Sequence, residues 1–223
     1  MGENDFIDTE ILNQGQFLSF KNNSFFEDQI FYFRTFPRIT EKILKTYKNQ
    51  KDTLTDTRKN LAGDIKEEYK IDDRKEFVKL FKSTLTERIN HIFNGGVKEV
   101  GIGPVWINEM KSGEYNPTHQ HIGYFSFIWY LDIPEKIRKE HMKQKGNTPS
   151  KGLIEFQSLI GGGDLKLNPR TNDLLIFNSR QPHIVWPFET KNVSRISLAG
   201  NVMSIEFKDG RKIEPSPSWE ERK

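Results

Sequence analysis

The chain has 223 residues, which suits one domain, with 35% hydrophobic, 12% aromatic and 29% charged side chains. Basic residues number 34 and acidic ones 31, a formal net charge of +3; the lysines are scattered and not massed in a block, so a nucleic-acid-binding face is not expected. No cysteine occurs, which excludes disulfides, thiolate metal sites and cysteine nucleophiles and fits a reducing compartment.

The N-terminus, Met1 to Asp5, is polar and acidic, with no apolar core of a secretory signal. The longest apolar run, near residues 124 to 131, is too short to cross a bilayer. A soluble, cytoplasmic protein is expected.

Taken in order, Gln16 to Phe20 and Gln29 to Arg34 read as strands around a turn at Lys21 to Ser24. Pro37 leads into a helix with Ile43, Leu44 and Tyr47 on one face. Gln50 to Ala62 is polar, and Asn60 to Ile65 reads as a loop passing over the core. A second helix has Asp72 or Asp73 as its cap, with Glu76 completing a capping box. Its stripe is Phe77, Leu80, Phe81, Leu85, Ile89, Ile92 and Phe93, and Asn94-Gly95-Gly96 stops it. His91, near its end, reads as a surface residue.

Strand patterns then dominate: 105 to 110, 125 to 133, 153 to 156, 173 to 177, 183 to 188 and 195 to 207. Turn residues separate them, as at 111 to 113, 161 to 164, 168 to 170 and 178 to 180. Many short strands behind two helices argue for a sandwich or barrel buttressed on one side. The lysine-rich piece 136 to 151 reads as a mobile insertion near the barrel mouth, with His141 in solvent. Residues 209 to 223 read as an irregular tail. The whole is one domain: 1 to 97 as strands and supporting helices, 98 to 208 as the β core, then the tail.

Chemistry concentrates in Tyr115-Asn116-Pro117-Thr118-His119-Gln120-His121. Only five histidines occur, and two stand here one residue apart. On a strand, residues i and i+2 share a face, roughly 6.6 Å apart, so both imidazoles can reach one ion. His183 stands on a later predicted strand. Three neutral imidazoles suit Fe(II), Zn(II), Cu(II) or Ni(II), and the positions left open favour catalysis over a structural role. Twelve residues after His183, Arg195 falls on what would be the adjacent strand after a turn at 189 to 192. A buried guanidinium there needs an anion, and a bound carboxylate held in bidentate fashion would supply it; the other reading is an edge arginine paired with Glu189. The aromatics Trp106, Phe125, Phe127, Trp129 and Trp186 read mainly as core.

The order Trp106-Ile107-Asn108, then Asn116-Pro117-Thr118-His119-Gln120-His121, Tyr130-Leu131-Asp132-Ile133-Pro134, Asn172 to Phe177, His183 and Arg195-Ile196-Ser197 resembles the 2-oxoglutarate/Fe(II)-dependent oxygenases. It is most similar to the prolyl-hydroxylase-like branch and, within it, to oxygenases common in phages and marine bacteria. The resemblance spans roughly residues 100 to 205. It implies a double-stranded β-helix, or jelly roll, and an Fe(II) enzyme that consumes 2-oxoglutarate and O₂, with ascorbate as reductant, and hydroxylates a C–H bond of a peptidyl or small-molecule substrate. It implies His119 and His183 as iron ligands, with His121 where most of the superfamily has Asp or Glu. Arg195 would bind the distal carboxylate of 2-oxoglutarate, assisted by Ser197 or Tyr115. Ser126 and Tyr130 would line the co-substrate pocket, and Leu153, Phe156, Trp106 and Asn108 the substrate side. Two other classes stand beside it: a cupin-like three-histidine dioxygenase without 2-oxoglutarate, and a non-enzymatic binding module.

Overall fold

The computed structural model describes residues 7–13, 15–18, 29–57, 63–71, 75–143, 150–158 and 163–214. In chain order the elements are β1 (Ile7–Asp8), β2 (Gln16–Leu18), β3 (Ile30–Arg34), α1 (Pro37–Gln50), β4 (Thr55–Asp56), β5 (Glu68–Lys70), α2 (Lys75–Ile92), β6 (Val97–Met110), β7 (Asn116–His119) and β8 (Phe125–Asp132). There follow α3 (Glu135–Arg138), β9 (Ile154–Gln157), β10 (Asp164–Asn168), β11 (Asp173–Asn178), β12 (His183–Val185), β13 (Arg195–Phe207) and β14 (Lys212–Ile213).

Two sheets face each other. The larger runs β2-β3-β11-β8-β13-β6-β5-β4, with β14 beside β13, and the smaller runs β1-β10-β9-β12-β7. Pairing is antiparallel except where β1 joins β10. The β8 sequence Phe-Ser-Phe-Ile-Trp-Tyr-Leu is buried along its length, because each of its faces meets a layer. Phe125, Phe127, Trp129 and Leu131 pack with Phe77, Phe81, Leu85 and Ile89 of α2 and Ile43 and Tyr47 of α1. Ile128 and Tyr130 turn the other way, toward Ile154, Phe156 and Leu167 of the smaller sheet. The period of two thus sends alternate residues to two separate cores. Trp129 Nε1 donates to Thr40 Oγ1 at 3.1 Å, which ties the buried indole to α1. Phe81 is fully buried, with its ring 6.1 Å from that of Phe127. Phe81→Ala is expected to lower unfolding stability by about 3–5 kcal/mol, measurable by urea denaturation; a loss under about 1 kcal/mol would show that α2 does not buttress the sheet.

The two helices, their inward stripes and the main strands lie where the sequence places them. α2 ends at Asn94, Gly95 and Gly96, all with positive φ, as a helix C-terminus favours. The turn at 21 to 24, the Asp72/Asp73 cap and the tail from 215 lie outside the described residues. Three expectations need correction. The polar stretch after α1 holds β4, which pairs with the later β5 to extend the large sheet past β6. β7 stops at His119, short of the strand read through His121, and β10 forms between the turns read at 161 to 164 and 168 to 170. Within 136 to 151, of which 144 to 149 lie outside the described residues, the first part is anchored. Ile137, Arg138 and His141 are buried, and Arg138 pairs with Asp8, Glu10 and Glu135. A buried arginine is tolerable there because three carboxylates meet it; His141 is drawn in beside it instead of standing in solvent.

Candidate metal and co-substrate site

The space between the sheets contains a cavity of roughly 550 Å³, counting its mouth, lined by His119, His121, His183, Arg195, Trp106, Asn108 and Tyr130, among others. His119 closes β7 and His183 opens β12, and the two are register partners. Their rings therefore lie side by side, with centroids 4.2 Å apart. β7 ends at His119, so His121 reaches the site from the bend that follows and not from the same strand face. Its backbone N–H donates to Ser179 O at 2.8 Å, and its ring lies 4.8 Å from His119 and 5.2 Å from His183. One nitrogen from each of the three falls within 4.8 Å of the others.

Two of the rings are oriented alike. His119 Nδ1 sits 2.7 Å from Pro117 O and His183 Nδ1 3.0 Å from Gln181 O. A carbonyl accepts only from N–H, so both rings carry the proton on Nδ1 and turn the Nε2 lone pair inward, the arrangement metal-ligating histidines use. Asn116 Nδ2 lies 3.2 Å from His119 Nε2, and the buried Asn116 Oδ1 has no partner among the described residues. Burial, helped by the neighbouring His119, pushes His121 down to about 3. Burial also carries His183 well below its ordinary value and lowers His119. All three are neutral at neutral pH, the form that binds a metal. The donor set therefore fits a borderline divalent ion such as Fe(II).

Arg195 begins β13, across the cavity from the histidines and on the other sheet. The expectation that it lies beside His183 on an adjacent strand is corrected: the chain crosses between sheets after β12, and Arg195 pairs with Met110 of β6. Only 2% of it is exposed. Its Nη1 donates to Gly152 O at 2.8 Å, its Nη2 lies 2.8 Å from Met110 Sδ, and the cation stands 5.9 Å from the Phe188 ring. Glu189 pairs with Lys151 instead. Among the described residues no carboxylate forms an ion pair with Arg195. The Tyr130 hydroxyl, close enough to feel that charge, is buried without a hydrogen-bond partner. Burial holds the phenol above its usual range, so it is a donor in search of an acceptor.

The other predicted site residues divide. Ser197 lines the cavity between its cross-strand neighbours Asn108 and Tyr130. Ser126 lines it too, but its hydroxyl is engaged by Asn201 Oδ1 at 3.0 Å and Ser179 Oγ at 3.1 Å. Trp106 and Asn108 form a wall, with the indole 5.3 Å from the His121 ring. Phe156 is fully buried behind His183, against Phe177, and Leu153 is buried too. Tyr115 is 42% exposed and stands outside the cavity lining. Gly63 explains how Ile65 reaches the lining: a Cβ there would lie 2.4 Å from Tyr115 O, so only glycine lets the loop close on the 115–116 segment, where Asp64 N donates to Tyr115 O. Sequence reading missed Asn116, Met110, Gly152 and Gln181 as parts of the site. Asn116 was legible in the histidine motif; the rest act through backbone oxygen or sulfur and leave no pattern.

Residues 104–201 match the family model described as "Putative 2OG-Fe(II) oxygenase". Among solved structures the chain is similar to a prolyl-4-hydroxylase from Pseudomonas putida, at 16% identity and TM-score 0.53 over 78% of this chain and 91% of that one. It is similar to a 2OG-Fe(II) oxygenase family oxidoreductase from Burkholderia pseudomallei, at 12% identity and TM-score 0.52 over 76% and 82%. A Trichoplax adhaerens prolyl hydroxylase, solved in complex with a hypoxia inducible factor oxygen degradation domain peptide fragment, matches at 16% identity and TM-score 0.51 over 81% and 84%. No curated protein matches. The fold is thus the double-stranded β-helix of these oxygenases. Residues 104–201 are similar to the 2OG-Fe(II) oxygenases, the class of enzyme that uses Fe(II) and 2-oxoglutarate. The match favours this class over the three-histidine dioxygenase and the binding module. No helix among the described residues is long and apolar enough to cross a membrane.

Proposed function

We propose that His119, His121 and His183 hold the iron, that Arg195 and Tyr130 bind the distal carboxylate of 2-oxoglutarate, and that the enzyme hydroxylates a C–H bond of a peptidyl substrate. The observation that carries this reading is Arg195: among the described residues it is a buried cation with no acidic partner, beside a buried phenol with no acceptor, in the same cavity as three convergent imidazoles. A carboxylate satisfies both donors at once. Iron, when bound, supplies the activation of O₂ that couples decarboxylation of 2-oxoglutarate to hydroxylation.

The protein's own part is orientation. Pro117 O and Gln181 O hold two of the rings with their lone pairs inward. Arg195 would hold the far carboxylate of the co-substrate from the sheet opposite β7 and β12. Ser197, in register between Asn108 and Tyr130, borders its path. Ile128, Phe177 and Val185 contribute apolar wall to the same cavity. A peptidyl substrate is favoured because a structural neighbour was solved with a peptide, and exposed Tyr115 and Ile122 flank the histidine segment in sequence.

The test is turnover of 2-oxoglutarate by the purified protein with Fe(II), ascorbate and O₂. Succinate should form slowly without substrate and faster with proline-containing peptides. An iron-loaded protein that forms no succinate under either condition would sink the proposal.

A further inference from the structure

Three neutral imidazoles leave both charges of a divalent ion uncompensated, and Arg195 adds a third positive charge across the cavity. Among the buried acids, Glu114 accepts from Lys111 N, Glu155 from Trp186 Nε1 with Lys166 close by, and Asp173 from Tyr32 with Arg170 nearby. Glu68 differs in its place, since its hydrogen bonds lead to the wall of the metal cavity. It lies on β5, 6% exposed, paired across the sheet with Asn108 of β6. No cation among the described residues forms an ion pair with it. Thr57 Oγ1 donates to Glu68 Oε1 at 3.0 Å. With the Asn108 amide turned to satisfy both neighbours, its nitrogen donates to Glu68 Oε2 at 2.9 Å and its oxygen accepts from Trp106 Nε1 at 3.1 Å. The Trp106 indole then lies against the His121 ring, 5.3 Å between centroids. A hydrogen-bonded chain thus runs from a buried carboxylate to the wall of the third imidazole. Burial pushes Glu68 up to about 7, and Asp56 on β4, the charged group beside it, acts in the same direction.

We infer that Glu68 is a positioning residue for the metal site: through Asn108 it fixes Trp106 against His121, and its carboxylate supplies the negative charge that the all-imidazole donor set lacks. The inference rests on the three-histidine reading above. A buried acid without a cation is held at a penalty, and a dication arriving in the adjoining cavity relieves it through the weakly screened interior. Outer groups that orient ligands typically change metal affinity ten- to a hundredfold when removed. Trp106 makes the geometric half of the role visible, because the indole cannot turn without giving up its bond to Asn108.

The experiment is calorimetric titration of the metal-free full chain with Co(II) near pH 7, in two buffers of different ionisation enthalpy so that released protons are counted. Wild type, Glu68→Gln and Glu68→Ala are compared, with tryptophan fluorescence recorded alongside. Glu68→Gln keeps the shape and the bond to Asn108 and removes only the charge. It should bind Co(II) about ten- to a hundredfold more weakly and release fewer protons than wild type, on the order of half a proton fewer. Glu68→Ala should lose as much affinity and also shift the indole emission. Equal affinity and equal proton release in wild type and Glu68→Gln would overturn the inference while leaving the metal site standing. Weaker binding with unchanged proton release would overturn the charge role and leave only packing. Failure of wild type itself to bind Co(II) would overturn the three-histidine reading and the inference with it.

Discussion

Arg195→Met will abolish 2-oxoglutarate binding and leave the metal-free protein at least as stable as wild type. The two halves follow from one fact. Among the described residues Arg195 is buried with one carbonyl, one thioether and an aromatic ring as company, and no acid. Without ligand its charge is a liability, since an unpaired buried ion pays desolvation with little return. Methionine approximates the stem's volume and removes that penalty, although Gly152 O loses its donor. With ligand, the guanidinium and the Tyr130 hydroxyl would together satisfy a carboxylate. Losing one partner of a buried ion pair costs about 3–5 kcal/mol, a drop of about two to four orders of magnitude in affinity. Calorimetry with 2-oxoglutarate and a thermal melt of the metal-free protein read the two effects separately. Retained co-substrate affinity would disprove the carboxylate role. A strongly lowered melting temperature would mean that the arginine is structural, held for Gly152 and Met110. Arg195→Lys should recover part of the affinity, because a point charge replaces one arm of the fork.

Fold and site were unevenly legible in the sequence. Period-two alternation in 125 to 132 and the 3–4 spacing of α2 announce their elements because burial on a definite face leaves a regular pattern. β4, β5 and β7 are two to four residues long and are polar or carry a proline, so they are held by pairing with neighbours and not by local propensity. His119 and His121 were readable as a pair, and the cavity does bring His183 to them. The route differs from the simple one: a bend, not a strand face, delivers His121. Arg195 stood out by its place after His183, yet which sheet it joins is decided by a crossover that no local pattern encodes. Glu68 was invisible. It sits in a charged stretch, Lys66-Glu67-Glu68, that reads as surface, and only the pairing of β5 with β6 turns alternate residues of that stretch inward: Glu67 meets Lys51 and Lys111 near the surface, while Glu68 enters the wall behind Trp106.

Replacing His183 should remove metal binding outright, whereas His121 should tolerate a carboxylate. His183 is 1% exposed, fixed on a strand, with its proton committed to Gln181 O and its lone pair turned inward. Nothing nearby can substitute for it, so His183→Ala should weaken Fe(II) or Co(II) binding beyond the ten- to hundredfold typical of losing a mere supporting group. His121 is held differently. Among the described residues no carbonyl fixes its Nδ1; its ring rests on Trp106 and its backbone on Ser179 O. A shorter side chain in that bend can still face the ion. His121→Asp should therefore keep Fe(II) binding and raise the preference for Fe(II) over Cu(II), because a hard oxygen replaces a borderline nitrogen. His121→Ala should lose affinity relative to both. Competition titrations of the three proteins, with the bound metal measured after dialysis, separate the possibilities. If His121→Ala binds Fe(II) as tightly as wild type, the ion rests on two histidines and the third imidazole is a wall residue. If His121→Asp and His121→Ala are equally impaired, the position demands an imidazole, and the chain's departure from the usual carboxylate is then a requirement of this cavity, in which Glu68 already holds the negative charge behind Trp106.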